Sequence, residues 1–121
     1  MADEPFSFTT SPRSKAGVTI LKISGPLTLK HIFGFQIDFR AMKPPILILD
    51  LTDCAYMDSA GLGLLMNQYV ACQSGKRRLL ITGANYRIQA LFELTKVSSI
   101  LQQYPTTEAA EASLQDLTRA I

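Results

Sequence analysis

Residues 46–65 read ILILDLTDCAYMDSAGLGLL, and the change of pattern inside this stretch decides the fold. ILILDL (46–51) is a nearly continuous β-branched and apolar run, the pattern of a central strand covered on both faces rather than of a surface strand. From Leu62 the apolar period becomes helical, with Leu62, Leu65, Met66, Tyr69 and Val70 or Cys72 on one stripe and Gly75 as the C-terminal stop. Between the two lies a helix start. With Asp58 as N-cap, Met57 and Leu62 take the spacing of a hydrophobic staple. The Asp58 carboxylate then accepts from free N–H groups of the first turn and complements the positive end of the helix dipole. Ser59 follows at the first helical position, beside Ala60 and Gly61, where small residues leave its hydroxyl exposed and let another protein approach closely.

Working outward, FSFTT (6–10) and VTILKIS (18–24) alternate around the turn-rich SPRSKAG (11–17), which predicts a first hairpin ended by Gly25-Pro26. Leu29–Met42 contains a helical set in Leu29, Ile32 and Phe33 followed by alternation at 35, 37 and 39, and is read as a helix closed by Pro44-Pro45. LLITG (79–83) reads as a second buried strand. Asn85 then caps a helix that turns Ile88, Leu91, Phe92 and Leu94 inward. A short last strand is expected at Ile100-Leu101. The tail from Thr106 or Thr107 reads as a helix with Ala110, Leu114, Leu117 and Ile121 on its apolar face. Strands alternating with helices give an α/β layer with a mostly parallel or mixed sheet, in a single domain of 121 residues.

Composition narrows the function. A formal charge of +2 gives no push toward nucleic acid or an anionic membrane, and the dense basic run Lys76-Arg77-Arg78 reads as a solvated loop. Cys54 and Cys72 match no CxxC or zinc-ligand spacing and sit among apolar neighbours, so no metal or cofactor is expected. Neither a secretory signal nor an apolar run long enough to span a bilayer is present, which points to a cytoplasmic protein without membrane insertion.

What Ser59 does is open between two readings at this level. It is part of a helix cap, or it is a modification site. Catalysis is disfavoured: the stretch is not GxSxG, and the usual kind of base is found only in His31, on a different segment. The glycines form neither GxxxxGK[ST] nor GxGxxG. A phosphate on Ser59 would add roughly −1.5 to −2 charges, and a helix N-terminus tolerates that. A partner packed on Ala60 and Gly61 would instead meet bulk and buried charge.

ILDLTDCAYMDSAGLGLL resembles the signature of STAS domains, specifically the bacterial anti-sigma factor antagonists: an apolar strand ending in Asp, a short turn, then Asp-Ser-small-Gly-Leu. ISGPLTL (23–29), LLITGANYRIQALFELTKVSSIL (79–101) and PTTEAAEASL (105–114) are similar to further elements of that family, so the resemblance covers about residues 6–120. It implies a four- to five-stranded mixed sheet with helices packed mainly on one face. It also implies a non-enzymatic protein that binds an anti-sigma factor, usually a serine kinase, and so releases a sigma factor. In that family the serine after Asp, here Ser59, accepts phosphate and loses binding, and a PP2C-type phosphatase restores it. Asp58, Ser59, Ala60, Gly61, Leu62 and Thr28 are the partner-binding positions this implies; Thr28 stands where the family often has an acidic residue. A constitutive STAS scaffold, or an accessory subunit of a signalling assembly or lipid transporter, is the alternative of the same fold. The first strand is an edge open to pairing, which leaves room for a weak homodimer.

Overall fold

The computed structural model describes residues 6–12 and 17–120, with side chains described for 6–11 and 17–114. Among the described residues nine elements follow one another: β1 (Ser7–Pro12), β2 (Val18–Ser24), α1 (Leu29–Ala41), β3 (Ile46–Asp53), α2 (Ser59–Ser74), β4 (Arg78–Thr82), α3 (Tyr86–Leu94), β5 (Gln102–Tyr104) and α4 (Thr107–Ala120). They form one sheet in the order β1-β2-β3-β4-β5. β1 pairs with β2 antiparallel, and every later pair is parallel.

Strand order equals chain order from β2 to β5, so each crossover steps the same way. Right-handed crossovers then place α1, α2 and α3 together on one face. The packing agrees. Leu21, Ile23, Leu47, Leu49, Leu51 and Ile81 point into the larger core with Phe35 and Phe39 of α1, Leu65 of α2, and Ile88 and Phe92 of α3. The alternate residues Val18, Ile20, Ile48 and Leu80 meet Ala110 and Leu114 of α4 on the opposite face. The mixed sheet with helices mainly on one face is thus present, and α4 explains why ILILDL has no polar face. Leu47, Ile48 and Leu49 are all buried because helices cover both sides.

Three local expectations change, and a choice left open on α2 is decided. The last strand is Gln102–Tyr104 rather than Ile100-Leu101; Leu101 is buried in the preceding turn and Ile100 is exposed. This strand is a short polar edge, paired through Leu80↔Gln102 to Thr82↔Tyr104, so hydrophobicity does not mark it. Leu94 points outward at 81 % exposure, because α3 ends there after turning Ile88 and Phe92 inward. On α1 the inward residues are Phe35 and Phe39, with Ile32 half-buried, while Leu29 and Phe33 face out. The Phe8 ring of β1 packs on that face: it lies 4.8 Å from Phe35, and Phe35 stacks on Phe39 at 5.0 Å. On α2, Cys72 rather than Val70 continues the stripe, and Leu64 and Gln68 join it. Gln68 is satisfied by donating its Nε2 to the Phe39 carbonyl at 3.0 Å. Of the apolar face expected for α4, Ala110 and Leu114 are buried; Leu117 and Ile121 lie outside the described side chains.

Candidate functional site

The C-terminal ends of the parallel strands carry the loops that build the site, the usual edge for sites in open α/β sheets. After β3, Met57 makes an isolated parallel bridge with Leu27, which brings the β3–α2 loop against the β2–α1 loop. Leu27 donates its N–H to the Tyr56 carbonyl at 2.9 Å, and Asp58 returns its own to the Leu27 carbonyl at 3.3 Å. Asp58 is extended (φ −101°, ψ −173°) and caps α2 as expected, its Oδ1 accepting from the Gly61 N–H at 2.9 Å. Its second oxygen does what the sequence does not reveal. Oδ2 accepts the Leu29 N–H at 3.0 Å and so caps α1 as well. One carboxylate therefore joins two helix N-termini, each with a positive dipole end.

Thr28, the N-cap residue of α1, leaves that capping to Asp58; its Oγ1 lies 3.1 Å from His31 Nδ1 instead. His31 is held there, stacked on Phe6 at 5.3 Å. No hydrogen bond joins His31 to Ser59 among the described residues, so the arrangement is not a nucleophile–base pair. Ser59 is exposed at the first turn of α2, and no hydrogen bond among the described residues engages its hydroxyl. Ala60 is half-buried beside it.

The expectation that Gly61 leaves room for a partner is overturned. Gly61 is buried, and a Cβ there would fall on the backbone carbonyl oxygen of Leu27. Its missing side chain serves contact within the chain. Leu62 is likewise buried at 7 % exposure and faces the core rather than a partner. Gly63 is the glycine that opens outward: it is exposed, and a Cβ there would meet nothing within 4 Å.

Two supports were not legible as site residues. Asn85 caps α3 through Ile88 N–H at 3.0 Å, and its Nδ2 also donates to the carbonyls of Cys54 (3.3 Å) and Ala55 (2.9 Å). It thereby pins the loop that leads to Asp58. The Arg87 guanidinium lies 4.7 Å over the Tyr56 ring, covering the other side of that loop. The capping pattern at Asn85 was a usable signal; its reach back to residues 54 and 55 was not.

Cys54 lies under the loop, donating weakly to the Tyr56 carbonyl at 3.5 Å. Burial pushes its thiol up from near 9 to about 11, so it is protonated and unreactive at neutral pH. The folded chain then keeps this proton where the unfolded chain releases it. That contribution to stability is complete below about pH 9 and is lost as pH rises toward 11. Urea denaturation at pH 8 and pH 10.5 should show lower stability at the higher pH, with a smaller loss in Cys54→Ala.

Among the described residues, no group of His, Cys, Asp and Glu could hold a metal ion, and no helix is long and apolar enough to cross a membrane. The family model of the STAS domain matches residues 10–110. The anti-sigma-B factor antagonist of Listeria monocytogenes is 35 % identical over 64 residues, 53 % of this chain and 56 % of that protein. The chain spans about half the length of the curated relatives it matches. An anti-sigma factor antagonist from Mycobacterium paratuberculosis shares the fold with a TM-score of 0.81 at 18 % identity, over 92 % of this chain and 95 % of that one. The Bacillus cell fate determinant SpoIIAA, solved in its phosphorylated form, has a TM-score of 0.69 at 13 % identity, over 88 % and 99 % of the two chains.

Proposed function

The chain belongs to the STAS domain family, and on that footing we propose that it is a cytoplasmic anti-sigma factor antagonist switched by phosphorylation of Ser59. Unphosphorylated, it binds an anti-sigma serine kinase through the surface around Ser59, Ala60 and Thr28, and this frees a sigma factor. Phosphorylation of Ser59 ends that binding, and a PP2C-type phosphatase restores it.

The observation that carries this reading is the exposed Ser59 hydroxyl, which no hydrogen bond among the described residues engages, beside a carboxylate that caps two helices. The phosphate would sit near two helix N-termini, whose N–H dipoles favour negative charge by about 0.3–1 kcal/mol each. The neighbouring Asp58 carboxylate opposes it. The fold is therefore expected to keep its shape on modification, and the effect falls on the partner, which would have to cover a doubly charged group.

Incubation with the kinase and ATP, followed by peptide mapping, should place the phosphate on Ser59, and Ser59→Ala should take up none. Phosphate found elsewhere, or equal labelling of Ser59→Ala, would remove this site from the mechanism.

A further inference from the structure

The charges of this chain are separated by end. At the end where the parallel strands begin stand Arg40 in the last turn of α1, Lys43 after it, Lys76 and Arg77 between α2 and β4, Arg78 opening β4, and Lys96 after α3. Among the residues whose side chains are described, two carboxylates share that end, Asp38 and Glu93. At the opposite end, around Ser59, the balance is reversed: Asp50, Asp53, Asp58, Glu108 and Glu111 face Lys22, Lys30 and Arg87. The net charge of +2 hides this division.

The basic end is held together by the backbone. Arg77 Nη1 donates to the Met42 carbonyl at 3.4 Å, and Arg78 donates its N–H to the Pro45 carbonyl at 2.8 Å. Among the described residues none of the six cations is ion-paired; the salt bridge seen joins Lys22 and Asp53 at the other end. Lys76 and Lys96 have φ of 57° and 64°, the left-handed position after a helix where glycine is favoured. A lysine there stands against the backbone preference for glycine, an opposition the helix dipole partly offsets.

Exposed aliphatic side chains stand at the same end: Ile37 at 69 %, Leu94 at 81 % and Ile100 at 46 % exposure. Cations beside exposed aliphatics are the chemistry of an interfacial membrane site, whereas single-stranded nucleic acid is held on aromatic platforms.

We propose that this end docks on an anionic lipid bilayer, with the lysines and arginines at the headgroups and Ile37, Leu94 and Ile100 at the acyl boundary. The eight residues of β3 separate it from the Ser59 end by roughly 25 Å, so both ends can be occupied at once. The protein would then work as a two-ended adapter on the membrane surface.

Co-sedimentation with vesicles of phosphatidylcholine, alone or mixed with phosphatidylglycerol, tests this. Binding is expected for the anionic vesicles only, and 0.5 M salt should abolish it. Lys76→Gly with Lys96→Gly suits the left-handed backbone, so melting should be unchanged or slightly raised while vesicle partitioning falls roughly thirtyfold. Leu94→Ser should weaken partitioning further without altering the charge. Equal partitioning of the double variant, binding to neutral vesicles, or a stronger interaction with a DNA oligonucleotide than with anionic vesicles would overturn the proposal.

Discussion

Gly61→Ala is expected to destabilise the fold by about 2–3 kcal/mol, whereas Gly63→Ala, two residues further along the same helix, is expected to stabilise it by about 0.5–1 kcal/mol. The opposite signs come from what each missing Cβ would meet. At Gly61 it would fall on the Leu27 carbonyl, a backbone atom tied into the Leu27–Met57 bridge and accepting from the Asp58 N–H. Relief requires α2 to move away from the β2–α1 loop, which strains the bonds that hold Asp58. The better helix propensity of alanine offsets only part of that cost. At Gly63 the added methyl points into open space, so propensity alone acts. Urea denaturation of the two variants against the parent chain measures both. A Gly61→Ala chain as stable as the parent, or more so, would refute the close approach of α2 to Leu27. If a partner rests on the open surface at Gly63, the stabilised Gly63→Ala chain should also bind that partner less well than the parent.

Asp58→Ala is the second large effect, with an expected loss of about 2–3 kcal/mol and a fall in Tm on the order of 10 °C. A helix N-cap contributes typically about 1 kcal/mol, and Asp58 serves two helices, through Gly61 N–H on α2 and Leu29 N–H on α1. Asp58→Asn separates the two roles. Asparagine caps one helix as well as aspartate does, but its amide presents a donor where the second N–H needs an acceptor. Its melting point should therefore fall between those of Asp58→Ala and the parent. An asparagine variant as stable as the parent would show that one capping bond suffices.

The stretch that set the fold also shows where sequence reading reaches its limit. The strand at 46–51, the cap at Asp58 and the helix after it follow from local pattern and capping chemistry, and all three stand in the structure. The bond from Asp58 to Leu29 spans 29 residues and depends on how two loops meet, which no local pattern encodes. Gly61 and Gly63 are the same residue type in the same helical turn, and only the position of Leu27 tells them apart. On α1 the sequence offers apolar residues on several faces, and Phe35 and Phe39 are the ones that turn inward, with the Phe8 ring of β1 packed on Phe35. At β5 the strand is polar because it is an edge, so it carries no hydrophobic signal.

The proposed Ser59 switch is tested most directly by the affinity of the proposed partner, an anti-sigma serine kinase, for four forms of this chain: unmodified, Ser59→Ala, Ser59→Asp and phosphorylated. A charge buried against a partner costs about 2–5 kcal/mol, so the phosphorylated and Ser59→Asp forms should bind at least about thirtyfold more weakly than the unmodified one. Ser59→Ala should bind within a few-fold of it. Undiminished binding of the phosphorylated form would contradict the switch.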